Sequence, residues 1–154
     1  VSLVVPPVAA AAWYALATHH VPTADDAIAL VGQGELVGRP LAMVCQQQGL
    51  NYRTIDKDTP DDERAEILEQ ADIVVSGVGI PGLIVPDDIK EGAMLIDAGT
   101  SESAGVLAGD IDPLCYQKAS WYTPVPGGIG PLTVAMIFMN LYNSWYGNLE
   151  LTLK

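Results

Sequence analysis

The sequence has few basic residues. Its 154 residues include seven Lys and Arg against nineteen Asp and Glu, which gives a formal net charge of −12. Such a surface repels the phosphate backbone of a nucleic acid almost everywhere. We therefore predict that nucleic acids are not partners of this protein.

Cysteines and membrane-length apolar runs are also scarce. Cys45 and Cys115 have no metal-ligand spacing around them, which predicts two buried thiols in a reducing compartment and no metal site. The apolar start, Val1 to Leu16, lacks a basic leader and is shorter than the about 20 residues that cross a bilayer. We expect a cytoplasmic protein with no membrane partner, and the start at Val1 rather than Met suggests a fragment or a processed chain.

Hydrophobic residues are abundant, at 49% of the sequence. This content and the length favour one domain with one real core. Nearly unbroken apolar runs alternate with helix-compatible segments, which predicts an α/β, Rossmann-like, doubly wound parallel sheet. The predicted strands are Ala27 to Val31, Tyr52 to Asp56, Asp72 to Ser76, Ala93 to Asp97 and, at one edge, Trp121 to Thr123. The predicted helices are Val8 to His20, Val37 to Gly49, Pro60 to Gln70 and Val134 to Trp145.

The first predicted strand leads into a glycine-rich turn. Gly32 lets the chain leave the strand sharply, Gly34 lets the backbone approach a pyrophosphate, and Gly38 lets the next helix lie against the sheet. The free N–H groups of that helix's first turn would supply an anion site. The spacing is G-x-G-x-x-x-G, however, and similar turns occur where nothing binds. The turn alone therefore leaves both interpretations open.

An acid follows the second predicted strand. Asp56 lies 22 residues beyond Gly34, where an acidic side chain accepts hydrogen bonds from an adenosine ribose and repels a 2′-phosphate. This position favours NAD over NADP. The alternative is a turn aspartate beside Lys57 and Asp58.

Other glycine-containing segments end predicted strands on the same rim of the sheet. They are the Gly77 to Gly82 loop and the Ala98 to Ser101 loop, and ligands of parallel sheets bind beyond these carboxyl ends. A third segment, Thr123 to Thr133, combines prolines with glycines. It is either a rigid connector or a loop that holds backbone amides against a ligand.

Five motifs occur in the order found in the bifunctional methylenetetrahydrofolate dehydrogenase/cyclohydrolase family, which this sequence resembles from Pro6 to about Trp145. The motifs are Val37-Gly38-Arg39-Pro40, Gly79-Ile80-Pro81-Gly82, Ile96-Asp97-Ala98-Gly99, Gly109-Asp110-Ile111-Asp112 and the proline-glycine segment Thr123 to Pro131. The resemblance implies the nucleotide-binding lobe of such an enzyme, with the first and last helices linking it to a substrate lobe. We expect a leading helix and linker at 1–25, the nucleotide-binding domain at 26–146 and a tail at 147–154.

The resemblance implies hydride transfer from methylenetetrahydrofolate to NAD(P), with hydrolysis of the methenyl product in many members. It also implies a homodimer formed through this lobe and a folate substrate bound through the other lobe. The alternative is a stand-alone, non-catalytic nucleotide-binding or dimerisation module. Residues expected near the folate are Pro126, Gly127 and Gly128. Residues expected to bind the cofactor are Gly32, Gln33, Gly34, Leu36, Val37, Gly38, Asp56, Val78, Gly79, Gly99, Thr100 and Thr133.

The sequence departs from the family at several points. This sequence has Gly32-Gln33-Gly34 where the family commonly has Gly-Arg-Ser, and it has Asp56-Lys57 where the family often has His-Ser. Both changes favour NAD. This sequence has Gly99-Thr100-Ser101 where the family often has Gly-Ile-Asn, so the side chains expected near the nicotinamide differ from those of the family.

The family's catalytic Tyr-x-x-x-Lys motif is absent, since none of the six tyrosines has Lys four positions on. We therefore expect no catalytic residue in this chain and interpret Asp110, Asp112 and Tyr122 as structural. An apolar surface would face the substrate lobe, with Trp13, Tyr14, Phe138 and Tyr142 on its two helices.

Overall fold

The structure, a computed structural model, describes residues 5–103 and 105–146; the predicted tail at 147–154 lies outside them. The helices are α1 (Pro7–His19), α2 (Gly38–Gln47), α3 (Asp61–Gln70) and α4 (Ile129–Tyr146). The strands are β1 (Ile28–Val31), β2 (Tyr52–Ile55), β3 (Ile73–Ser76), β4 (Met94–Asp97), β5 (Ser101–Ser103), β6 (Val106–Ala108) and β7 (Trp121–Tyr122). Two 3-10 turns cover Pro86–Asp88 and Pro113–Gln117.

Five of these strands form one parallel sheet in the order β2-β1-β3-β4-β7. The chain moves outward from β1 to β2, returns to β3 on the other side of β1, and continues to β4 and β7. The predicted α/β, doubly wound sheet is thus confirmed. Its direction reverses between β1 and β3, which is the point where sheets of this kind leave a crevice for ligands.

The sheet is covered on both faces, because every residue of β1 and β3 is buried. Alternate strand residues point to opposite faces, so the apolar runs supply two cores. Helices α1, α2 and α4 cover one face, which includes Ile28, Leu30, Ile73, Val75 and Ile96. Helix α3 and the segments around the 3-10 turns cover the other face, which includes Ala29, Val31, Val74, Leu95, Ile67, Leu68, Ile84 and Ile111.

Helix α1 is part of this core. It begins with Pro7, whose fixed φ suits a first turn, and its alanines allow close packing against α4. His19 lies in its last turn, where a positive charge suits the helix dipole, and its ring stacks on Trp121 at 4.6 Å between centroids. His20 pairs with Asp26 at 3.0 Å. On the other face of the short strand β7, the rings of Tyr116 and Tyr122 stack at 3.9 Å.

The sequence missed one element, and two local predictions were wrong. Ala98 to Thr100 form a loop, as predicted, but Ser101 begins an antiparallel hairpin of β5 and β6 that was not predicted. Helix α4 begins at Ile129, five residues before the predicted start, since Pro131 is tolerated in a first turn where no intrahelical N–H bond is lost. Trp13 is only 4% exposed and belongs to the core beside α2 rather than to an outer surface.

In the described part of the chain, no helix is long and apolar enough to cross a membrane.

A buried carboxylate closes the carboxyl end of β4. Asp97 is 1% exposed, and its side chain accepts hydrogen bonds from the backbone N–H groups of Gly99, Asp110 and Ile111 at 2.9 to 3.1 Å. Burial raises the pKa of Asp97 to about 6, although those N–H groups act in the opposite direction. The fold therefore opposes ionisation of this carboxyl group.

This raised pKa predicts a pH-dependent stability. Because the folded pKa lies above the ordinary value of 3.8, the contribution of protonated Asp97 is fully present below about pH 4 and is lost as the pH rises through about 6. Two pKa units correspond to about 3 kcal/mol. Urea unfolding from pH 4 to pH 7 should show the free energy of unfolding falling more steeply in the native sequence than in Asp97→Asn.

Asp62→Asn serves as the control, since Asp62 is an exposed acid in the first turn of α3. This variant should keep the native pH slope. Equal slopes for the native protein and Asp97→Asn would contradict the role given to Asp97.

Candidate nucleotide-binding site

A cleft of about 720 Å³ opens at the carboxyl ends of β1, β2 and β3. It lies at the point where the sheet reverses direction, and its volume is within the range of small-molecule sites, about 300 to 1,000 Å³. Its lining residues are Val31, Gly32, Gln33, Gly34, Arg39, Ile55, Asp56, Lys57, Asp58, Thr59, Asp61, Arg64, Gly77, Val78, Ile80 and Leu83.

In the turn between β1 and α2, the start of the helix packs very closely against the backbone that follows the strand. Gly32 has φ +89°, and its N–H donates to the carbonyl of Ile55 at 2.8 Å. A Cβ atom at Gly38 would lie 1.8 Å from the carbonyl oxygen of Gly32, so helix α2 can begin here only with glycine. Val37 is buried beside Gly77, where an added Cβ would lie 2.6 Å from that of Val37. Val37 and Gly38 therefore shape the turn from behind rather than line the cleft.

Gly34 differs from these glycines. Its backbone has no positive φ, and an added Cβ would meet no atom within 4 Å. The space beside Gly34 belongs to the cleft, and α2 begins nearby without a side-chain cap on its first turn. The first turn itself has few free N–H groups, contrary to the prediction, because Arg39 donates its N–H to the carbonyl of Gly34 at 3.1 Å and Pro40 has none. The turn therefore combines a narrow backbone with open space at Gly34.

Asp56 is exposed in the cleft and also closes a turn. Its Oδ1 accepts hydrogen bonds from the N–H of Asp58 at 2.9 Å and from Oγ1 of Thr59 at 3.3 Å. The structure thus shows the turn aspartate, whose turn bonds involve only one carboxylate oxygen. Hydrogen bonding of Asp56 to an adenosine ribose stays a prediction.

The cleft carries charges of both signs. Its acids are Asp56, Asp58 and Asp61, and its cations are Arg39, Lys57 and Arg64. Arg64 donates to the carbonyl of Leu83 at 2.9 Å and pairs with Asp88 at 3.4 Å. Lys57 pairs with Asp58 at 3.1 Å, and Arg39 approaches Glu35 at 4.0 Å. These exposed pairs hold the cations only weakly.

The loop after β3 forms the apolar wall of the cleft through Val78 and Ile80, which are 39% and 52% exposed. The carboxylate of Asp110 accepts the backbone N–H groups of Val78, Gly79 and Ile80 at 2.7 to 2.9 Å. It also accepts the hydroxyl of Ser76 at 2.7 Å. The sequence pointed to a simple turn around Asp110, because a Gly-Asp pair gives no sign of a carboxylate that reaches another loop.

Five of the predicted cofactor residues line the cleft together: Gly32, Gln33, Gly34, Asp56 and Val78. Leu36 is 67% exposed and lies outside the lining, as does Gly79. Gly99 is buried, and a Cβ there would lie 2.1 Å from the carboxylate of Asp110, whereas Thr100 is exposed. Thr133 lies in the first turns of α4, where its hydroxyl donates to the carbonyl of Ile129 at 2.9 Å.

The proline-glycine segment borders a second hollow of about 550 Å³, which Gly127 and Gly128 share with Tyr14, His19 and Trp121. Pro126 is exposed next to it. The segment is tightly wound, since a Cβ at Gly128 would lie 2.4 Å from the carbonyl oxygen of Pro124.

Cys45 and Cys115 are buried free thiols, as predicted. Burial raises the pKa of each to about 11, so neither is a thiolate near neutral pH. Within residues 5–103 and 105–146, no group of three His, Cys, Asp or Glu side chains is placed to hold a metal ion.

Comparison with solved structures supports the same fold. A Trypanosoma brucei N5,N10-methylenetetrahydrofolate dehydrogenase-cyclohydrolase, solved with NADP and an inhibitor, is 35% identical with a TM-score of 0.80. The match covers 88% of this chain and 48% of that one. A Campylobacter jejuni bifunctional enzyme of the same name is 29% identical with a TM-score of 0.85, over 91% of this chain and 50% of that one.

Sequence comparison gives the same relationship. A bifunctional protein FolD from Mycoplasmopsis synoviae is 39% identical over 140 residues, which are 88% of this chain and 49% of that protein. The chain therefore spans about half the length of the curated relatives it matches. The family profile described as tetrahydrofolate dehydrogenase/cyclohydrolase, NAD(P)-binding domain, matches residues 6–148. The protein belongs to the tetrahydrofolate dehydrogenase/cyclohydrolase family, of which this chain contains the NAD(P)-binding domain.

Proposed function

We propose that this domain holds NAD in the cleft beside β1 and β3 and presents it to methylenetetrahydrofolate. The observation that carries the proposal is the Gly32 to Gly38 turn, in which a tight backbone contact leaves open space at Gly34. When bound, the nicotinamide would accept a hydride from the one-carbon group of the folate. Methenyltetrahydrofolate hydrolysis is proposed for the whole enzyme only. The matched relatives are enzymes, so a non-catalytic module is not favoured.

The residues of this chain bind and orient rather than exchange protons. The backbone of the turn from Gly32 to Gly38 would bind the pyrophosphate, Asp56 would accept hydrogen bonds from the adenosine ribose, and Val78 would form an apolar wall. Gly99, Thr100 and Thr133 would lie toward the nicotinamide end. Such positioning lowers the barrier by fixing the distance and angle between the reacting groups.

We propose NAD rather than NADP as the preferred cofactor. A 2′-phosphate beside Asp56 would meet a carboxylate whose direction is fixed by the turn bonds to Asp58 and Thr59. Of the three cations in the cleft, Arg64 is held by Asp88 and by the carbonyl of Leu83, whereas Lys57 and Arg39 are held only weakly by exposed acids. The Trypanosoma brucei relative was solved with NADP, so the resemblance to it does not by itself favour NAD. The proposed preference of this chain for NAD therefore depends on these local charges.

We propose that the folate-binding lobe covers an apolar face on α1 and α4. Phe138 is 66% exposed, and Tyr14 and Tyr142 are also exposed. An exposed apolar face of this kind marks an interaction surface. Pro126, Gly127 and Gly128 lie at the hollow beside α1 and are proposed to approach the substrate. A homodimer formed through this domain is proposed as well.

Filling the open space at Gly34 tests the cofactor site. Gly34→Val should fold normally, because its backbone has no positive φ and no atom lies within 4 Å, yet its side chain would occupy the proposed pyrophosphate position. We expect affinity for NADH to fall at least about tenfold, or about 1.4 kcal/mol, measured by quenching of tryptophan fluorescence. Gly130→Ala is the matched control, since Gly130 also has open space but lies in α4 away from the cleft. Unchanged binding in Gly34→Val would contradict the site.

Neutralising Asp56 tests the cofactor preference. Asp56→Asn can keep the turn bond to Asp58 but loses the charge, so NADPH should bind about tenfold more tightly relative to NADH. The measurement is a pair of titrations with the two reduced cofactors. Asp61→Asn removes a different acid from the same cleft and should leave the ratio nearly unchanged. Tighter binding of NADPH than NADH to the native chain would overturn the preference.

The purified 154-residue chain should not turn over folate, because it contains no Tyr-x-x-x-Lys motif. We expect no steady-state reduction of NAD at 340 nm with methylenetetrahydrofolate, under conditions where the chain binds NADH. Sustained turnover would show that this chain supplies the catalytic groups itself.

A further inference from the structure

The backbone N–H groups of the loop after β3 point away from the cleft. Three consecutive residues, Val78, Gly79 and Ile80, donate their N–H groups to one buried carboxylate, that of Asp110. A run of N–H groups like this is ordinarily a binding place for an anionic ligand. Here the protein fills that place with its own side chain, 1% exposed.

We propose that Asp110 is a positioning residue for the bound cofactor. By binding these three N–H groups, it makes the loop present side chains to the cleft, and Val78 and Ile80 form the apolar wall that results. The phosphates of the cofactor would therefore bind at the turn after β1 and not at this loop. The inference rests on the proposed nucleotide site and adds to it the residue that sets the shape of one wall.

The surroundings of Asp110 make its hold on the loop rigid. Its carboxylate accepts four hydrogen bonds in all, since Ser76 donates its hydroxyl at 2.7 Å. Its own N–H donates to Asp97 at 3.1 Å, and Asp97 also accepts the N–H of Gly99. Gly99 lies directly against the carboxylate of Asp110, where an added Cβ would clash at 2.1 Å. One buried side chain therefore links the two loops that follow β3 and β4.

Hydrogen exchange on the native chain tests the inference without a substitution. We expect the amides of Val78, Gly79 and Ile80 to be protected in the free protein and equally protected when NADH is saturating, because they stay bonded to Asp110. Amides of the Gly34 to Gly38 turn should gain protection with NADH. Unprotected loop amides that become protected only with NADH would overturn the inference, since they would then bind the cofactor directly.

Asp110→Asn tests it by substitution. An amide nitrogen cannot accept an N–H, so part of the loop is released. Affinity for NADH should fall by between about tenfold and a hundredfold, and at least one of the three loop amides should lose protection. Ser76→Ala removes a hydroxyl donor but no loop N–H bond, so it should change affinity no more than about threefold.

A loss of stability alone must be distinguished from loss of positioning. Leu16→Ala is the matched variant, because Leu16 is buried on the face of the sheet covered by α1 and α2 and does not line the cleft. It should lower the melting temperature yet leave NADH affinity within about twofold, measured well below both transitions. Equal weakening in Leu16→Ala and Asp110→Asn would overturn the inference.

The two proposals fail in different ways. If the native chain binds neither NADH nor NADPH, the proposed function fails and the positioning role fails with it. If the native chain binds NADH and Asp110→Asn binds it equally well with its loop amides still protected, only the positioning role fails.

Discussion

Backbone N–H groups at the carboxyl edge of the parallel sheet need partners, and two buried carboxylates supply many of them. Asp97 accepts three such groups, and Asp110 accepts three more together with a hydroxyl. An unsatisfied buried N–H costs about 1 to 3 kcal/mol, so these two acids make it possible for the loops after β3 and β4 to turn sharply at a buried edge. The shape of the cleft depends on those turns.

Backbone and side chains form different parts of the cleft. The turn after β1 has the narrow backbone and the open space, because Gly38 lies against Gly32 while Gly34 faces empty volume. The loop after β3 has the apolar wall, and the end of β2 has the acid. A dinucleotide has an anionic middle and flat, less polar rings, so an arrangement of this kind suits its parts in order.

Much of this could be predicted from the sequence. The three apolar strands β1, β3 and β4 and the glycine turn have strong local patterns, and the order of the motifs identified the family. Asp110 could not be predicted as a loop anchor, since its partners lie about 30 residues earlier in the chain. The hairpin of β5 and β6 has a polar first strand with no alternating pattern. Trp13 was assigned to an outer surface because a nearly uniform alanine-rich helix does not reveal which side faces the core.

The ring stacks on β7 have a consequence for how the molecule meets its own copies. This strand is only two residues long, and its faces are covered by His19 on Trp121 and by Tyr116 on Tyr122. An exposed strand at the end of a sheet can template the addition of a foreign strand, but a very short one offers few free N–H and C=O groups. This edge of the sheet is thus poorly suited to strand addition, in contrast to the opposite edge, where β2 has four residues.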